Sequence, residues 1–137
     1  MKAPDAGPDA SSDACPCGSG AGYARCCGRW HDGPLHLQAA TAEALMRSRY
    51  SACVRGRGAY LLDSWHPSTR PAEVPRFDAG VKWLGLEVRK QQTTAADRAE
   101  VEFVARSKCG GRAQRLHEKS RFVREGGRWF YLDGTLS

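Results

Sequence analysis

The order of hydrophobic periodicities predicts an α+β fold: helices packed on one face of a curved antiparallel sheet, with a small cysteine knuckle at the N-terminal end. Three features carry this expectation. Apolar residues recur at helical spacing from about Thr41 to Val54. The pattern changes to period two from Val81 onward. Four of the six cysteines crowd together ahead of both.

In chain order, residues 1–14 contain Pro, Gly, Ser and Asp with almost no bulky apolar side chain, and are expected to be a disordered leader. Residues 15–34 form the cysteine-bearing segment, closed by Pro34, and residues 35–137 form the body. A helix is expected to begin near Thr41, because Ala42, Leu45, Met46, Tyr50, Cys53 and Val54 repeat on one face. Gly56 and Gly58 stop it. A second short helix is expected over residues 59–65, and His66-Pro67 and Arg70-Pro71 then mark a loop.

Four strands are expected over residues 81–88, 100–106, 114–124 and 129–132. Leu84, Leu86 and Val88 are assigned to one face of the first strand, and Lys90 to Ala99 read as a polar break. Cys109-Gly110-Gly111 reads as a turn, and Glu125-Gly126-Gly127-Arg128 as a hairpin. Cys53 fits the core stripe as a buried thiol, and Cys109 is a turn residue.

Composition bounds the function classes. Hydrophobic residues make up 41% and charged residues 26% of the 137, ordinary globular values that exclude a collagen-like fibre, a coiled coil and a wholly disordered chain. No apolar run approaches the roughly 20 residues of a membrane-spanning helix. Met1 to Gly7 lack an apolar core, so no secretory signal is expected. The net charge is +6, and the leader is acidic through Asp5, Asp9 and Asp13 against Lys2, so the positive charge belongs to the body.

The spacing Cys15-x-Cys17-x8-Cys26-Cys27 is poorly suited to disulfides, because bridging within a Cys-x-Cys or a Cys-Cys pair is strained. Two crossed bridges between the pairs are the alternative and would tie only a tiny loop. Four thiolates can instead surround one Zn²⁺ tetrahedrally, and such a closed set is structural, since it leaves no open position for water. Gly18 and Gly20 are expected to bring backbone N–H groups toward the sulfurs. Arg25 and Arg29 flank the second pair and would offset the −2 charge of the set. His31 lies nearby as a fifth candidate ligand, with a surface or packing histidine as the favoured reading. A thiol cluster of this kind suits a reducing compartment, so a cytoplasmic location is expected.

The string from Cys15 to Gly28, Cys-Pro-Cys-Gly-Ser-Gly-Ala-Gly-Tyr-Ala-Arg-Cys-Cys-Gly, resembles the SEC-C motif found at the C-terminus of the preprotein translocase motor SecA. The body resembles the YchJ-type family of small bacterial proteins. The matching blocks are residues 41–50, Tyr60-Leu-Leu, residues 65–70, 83–88, 101–106, 116–122 and 127–134. The resemblance implies a nuclear transport factor 2-like cone, a bent sheet wrapped around helices, and one structural four-thiolate zinc ion.

Two functions compete, and the first, an adaptor rather than an enzyme, is the preferred expectation. In the first, the SEC-C segment and basic surface make this an adaptor. The motif's use in the translocase motor implies an acidic protein partner, export- or ribosome-associated. Nucleic acid is less favoured, because no basic patch is interleaved with aromatics. In the second, a polar pocket inside the cone serves small-molecule binding or an enzyme. Trp65, His66, Trp83, Glu118 and Arg121 are its candidate residues. Glu118 shares a face with Leu116, Ser120 and Phe122, so it is expected to point inward as a base, with an Arg-satisfied structural carboxylate as the plainer reading. No Ser/His/Asp or Cys/His constellation and no phosphate-cradling loop is evident. An open cavity favours the second function and a filled cone the first.

Overall fold

The structure is a computed structural model that describes residues 13–75, 77 and 80–137. A 3-10 turn over Tyr23–Arg25 and the one-turn helix α1 (Gly28–His31) build the N-terminal knuckle. Helix α2 (Ala42–Arg55) and helix α3 (Gly58–Asp63) follow. The chain ends in a meander of β1 (Val81–Ala95), β2 (Arg98–Cys109), β3 (Arg112–Glu125) and β4 (Arg128–Leu136). The strands lie in sequence order and every neighbouring pair is antiparallel.

The ends of α2 follow its sequence. Thr41 Oγ1 accepts a hydrogen bond from the Ala44 N–H at 3.0 Å, the usual N-cap arrangement. Gly56 closes the helix in the left-handed conformation, with its N–H on Ala52 O. The two strand-connecting turns at Gly110-Gly111 and Gly126-Gly127 have positive φ at both residues, as a tight twisted hairpin requires.

Leu45, Met46, Tyr50 and Ala52 of α2 pack with Tyr60 and Leu61 of α3 against Val101, Phe103, Ala105 and Phe122 of the sheet. The segment after α3 runs beside β4. Tyr131 N–H donates to Ser64 O at 2.9 Å, and His66 N–H donates to Tyr131 O at 2.8 Å. Thr69 Oγ1 donates to Leu132 O at 2.6 Å.

Three expectations are corrected. Leu84 does not share the face of Leu86 and Val88: a β-bulge between Trp83 and Gly85 leaves it 52% exposed. That bulge puts Trp83 and Leu86, an odd number of residues apart, on the same core side. The expected polar break is strand instead, because β1 and β2 continue as a polar ribbon to a turn at residues 96–97. At the N-terminus, Asp13 and Ala14 are not leader. Ala14 bridges Gly22, and Asp13 O accepts from Tyr23 N–H at 2.9 Å. The remaining leader residues, 1–12, lie outside the described residues.

No helix among the described residues is long and apolar enough to cross a membrane.

Candidate metal centre and cavity

The turn at residues 15–18 and the start of α1 bring Cys15, Cys17, Cys26 and Cys27 together. Their four sulfurs all lie within 4.8 Å of one another, and Cys17 Sγ and Cys26 Sγ are 3.6 Å apart. A tetrahedral cation holding sulfur at about 2.3 Å needs sulfur–sulfur edges of about 3.8 Å, which this spacing brackets. Cys15, Cys17, Cys26 and Cys27 are not joined by disulfides. The donor set and its spacing therefore fit a metal ion.

Electrostatics gives the same answer. Hydrogen bonds from Cys17 and Cys27 hold the Cys15 thiol far below its ordinary range. Its contacts with Cys15 and Cys17, followed by burial, push Cys27 far above it. Thiols this close ionise at one another's expense, and only a cation lets all four be thiolates together.

The cluster faces the body. Cys17 and Cys27 are essentially inaccessible, Cys15 is buried and Cys26 is half-buried. Ser51 of α2 places its hydroxyl 3.5 Å from Cys15 Sγ, and Ser19 Oγ lies 3.1 Å from Cys26 Sγ. Arg47 Nη1 donates to Cys17 O and Arg29 Nε to Cys26 O, each at 3.0 Å. The two expected counter-charges, Arg25 and Arg29, are both exposed, and Arg29 bonds the knuckle backbone at Cys26 O. The unexpected one is Arg47, which Glu43 holds at 2.9 Å. Gly18 and Gly20 have positive φ, but the Gly18 N–H donates to Cys15 O rather than to a sulfur.

His31 is not a fifth ligand. Its Nε2 lies 2.8 Å from the carbonyl of Ser48, which can only accept, so Nε2 carries the proton. Nδ1 then accepts from the Tyr23 hydroxyl. Both nitrogens are engaged, and burial pushes the imidazole below its ordinary pKa.

A second site lies in the concave side of the sheet. An open cavity of about 260 Å³ runs between α2, the post-α3 segment and the strands, and is predominantly apolar. Trp65, Trp83 and Glu118 line it. His66 and Arg121 do not. Arg121 follows Ser120 along β3, so the pleat turns it to the outer face, where it pairs with Asp133. His66 follows Trp65 along the segment bridged to Tyr131 and turns away to Glu125, 3.0 Å off.

Glu118 Oε2 accepts from Ser120 Oγ at 2.6 Å and from the Tyr131 hydroxyl at 3.2 Å. Among the described residues no arginine bonds it directly. Arg49, which helical periodicity does not single out, stands across the Tyr131 ring. Its guanidinium lies 4.3 Å from the Tyr131 centroid and 5.0 Å from that of Trp65. Its Nη1 donates to Leu61 O and Ser64 Oγ, both at 2.7 Å. Burial lowers its pKa to about 10.

Comparison with known proteins bears on both sites. A family model described as YchJ, middle NTF2-like domain, matches residues 41–134, and a SEC-C motif model matches residues 12–29. The chain is 56% identical over 129 residues to a UPF0225 protein of Bordetella parapertussis, covering 94% of this chain and 97% of that one. It is 62% identical over 122 residues to a UPF0225 protein of Methylibium petroleiphilum, covering 89% and 88%. Two solved structures are similar. One is the solution structure of a SEC-C motif containing protein from Rhodopseudomonas palustris, with TM-score 0.73 and 35% identity over 90% of this chain and 98% of that one. The other is a crystal structure of a SEC-C motif containing protein from Psychrobacter arcticus, with TM-score 0.75 and 30% identity over 94% and 85%.

Proposed function

The chain belongs to the YchJ family, with a SEC-C motif and an NTF2-like domain, and from that premise we propose that it is a small-molecule-binding protein whose knuckle is a structural zinc staple. The observation that carries this reading is the open cavity, which a filled cone would lack. It is small beside the roughly 300–1,000 Å³ of drug-sized sites, and like them it joins apolar walls to a few placed polar groups. The zinc reading is supported by four clustered sulfurs and by soft ligands in a closed set. Burial of three of the thiols against the body supports a staple over a recognition surface.

Titrating the zinc-loaded chain with naphthalene, followed through the amide NMR signals of Ala105 and Ser120, tests the cavity. Saturable shifts are expected, and Cys53→Phe, which fills the cavity from α2, should abolish them. Absence of shifts in the unsubstituted protein would refute the reading.

A second reading, an acidic protein partner, is supported by one feature. The outer face of the sheet sets Lys82 directly opposite Lys108 and Arg106 opposite Arg115, all exposed. Like charges in cross-strand pairs cost stability and attract an acidic surface. Glu87, 3.5 Å from Arg106, is the acid that meets them. Capture of an acidic protein that Lys108→Glu and Arg115→Glu abolish, with Cys53→Phe without effect, would support it; capture unchanged by the charge reversals would end it.

A further inference from the structure

Among the described lining residues the cavity carries two formal charges, one on α2 and one on β3. Arg49 contributes +1 and Glu118 −1, and Tyr131 joins them, its ring under the guanidinium and its hydroxyl donating to the carboxylate. Arg49 is also anchored to the protein, since two of its five N–H donors, both on Nη1, go to Leu61 O and Ser64 Oγ. The charges therefore compensate one another before any ligand enters.

Glu118 is held in place from three sides. Ser120 and Tyr131 donate to Oε2. The third side is Gly134 of β4, whose missing side chain leaves the space that the carboxyl occupies: a Cβ there would lie 2.6 Å from Glu118 Cδ. A carboxylate accepts at about four lone-pair positions, and the two hydroxyls fill two. The remaining acceptors have no protein donor in the described contacts and need one from a ligand.

We infer that the cavity selects an uncharged ligand with a flat apolar body and one hydroxyl or N–H group that donates to Glu118. This rests on the small-molecule reading above. The body is dictated by Tyr50, Trp83, Phe103 and Phe122, whose rings line the walls. The absence of charge follows from the balance of Arg49 and Glu118: an anionic or cationic ligand brings a charge that no further described lining residue offsets, in surroundings where desolvation is poorly repaid. The single donor is dictated by an acceptor-only group as the cavity's directional contact.

The test uses one scaffold in four forms on the zinc-loaded full chain: naphthalene, 2-naphthol, 2-naphthoate and 2-naphthylmethylamine, the last protonated at neutral pH. Dissociation constants come from the Ala105 and Ser120 amide shifts. We expect 2-naphthol to bind about tenfold more tightly than either charged form, and severalfold more tightly than naphthalene. Glu118→Gln keeps the shape and leaves Arg49 uncompensated, so it should shift preference toward 2-naphthoate by about tenfold. A charged form binding more tightly than 2-naphthol to the unsubstituted protein would overturn the inference, as would an unchanged order in Glu118→Gln. If no form moves the amides, the small-molecule reading itself fails. If naphthalene binds and the order is wrong, only the ligand class fails.

Discussion

Gly134 has no side chain where Glu118 has its carboxyl. A Cβ at Gly134 would stand 2.9 Å from Glu118 Cγ and 2.6 Å from Cδ, and would overlap Oε2. The two residues lie on adjacent strands, with Ser120 directly opposite Gly134. The glycine is thus the space in which the cavity's carboxylate is seated.

Gly134→Ala should therefore destabilise the protein by about 1–3 kcal/mol through overpacking. Urea unfolding measures it. In a Glu118→Ala background the same change should cost almost nothing, and a cost that persists there would show that the contact is not the cause.

Arg49→Met should cost about 2–4 kcal/mol, because Leu61 O and Ser64 Oγ lose their charged donor and Glu118 loses its counter-charge. Arg49→Lys should not restore it, since an ammonium lacks the plane that stacks on Tyr131. Thermal unfolding of the three proteins checks this ordering.

His31 should impose a pH dependence. Its folded pKa lies below the ordinary 6.5 because burial disfavours the imidazolium. The unfolded chain therefore binds the proton first as pH falls. The resulting stability is fully present above about pH 6.5 and is lost as pH falls toward the folded value. Denaturant titrations from pH 8 to 5.5 should show a slope that His31→Gln removes, while Gln keeps a donor for Ser48 O.

Lys108→Glu should stabilise the sheet by a few tenths of a kcal/mol at low salt, by turning the Lys82–Lys108 repulsion into an attraction. The gain should shrink as salt is added. A loss of stability would show that the cross-strand pair is not in repulsive contact.

Local chemistry made the knuckle and α2 legible in the sequence. Four sulfurs at fixed spacing, a threonine cap at Thr41 and a glycine stop at Gly56 act over a few residues. Period two located all four strands, and the inward face of Leu116, Glu118, Ser120 and Phe122 followed from the pleat. What was not legible depends on partners distant in the chain. The bulge at Leu84 has no local signature, and it changes which side chains face the core. The polar ends of β1 and β2 pair beyond the core, so no apolar alternation marks them. Arg49 reads as one more surface cation on an amphipathic helix until the segment after α3 folds over it. His66 and Arg121 are expected at the pocket, but the pleat of β3 carries Arg121 to Asp133 on the outer face and His66 turns away to Glu125.

The claim on which the rest depends is that Cys15, Cys17, Cys26 and Cys27 hold one metal ion and so fasten the knuckle to α2. Native mass spectrometry of the purified full chain, with thiol counting after denaturation, tests it most directly. One zinc ion per chain and no disulfide among Cys15, Cys17, Cys26 and Cys27 are predicted, with the metal lost in the Cys26→Ser, Cys27→Ser protein. A metal-free chain of unchanged stability, or disulfides joining the two cysteine pairs, would contradict it.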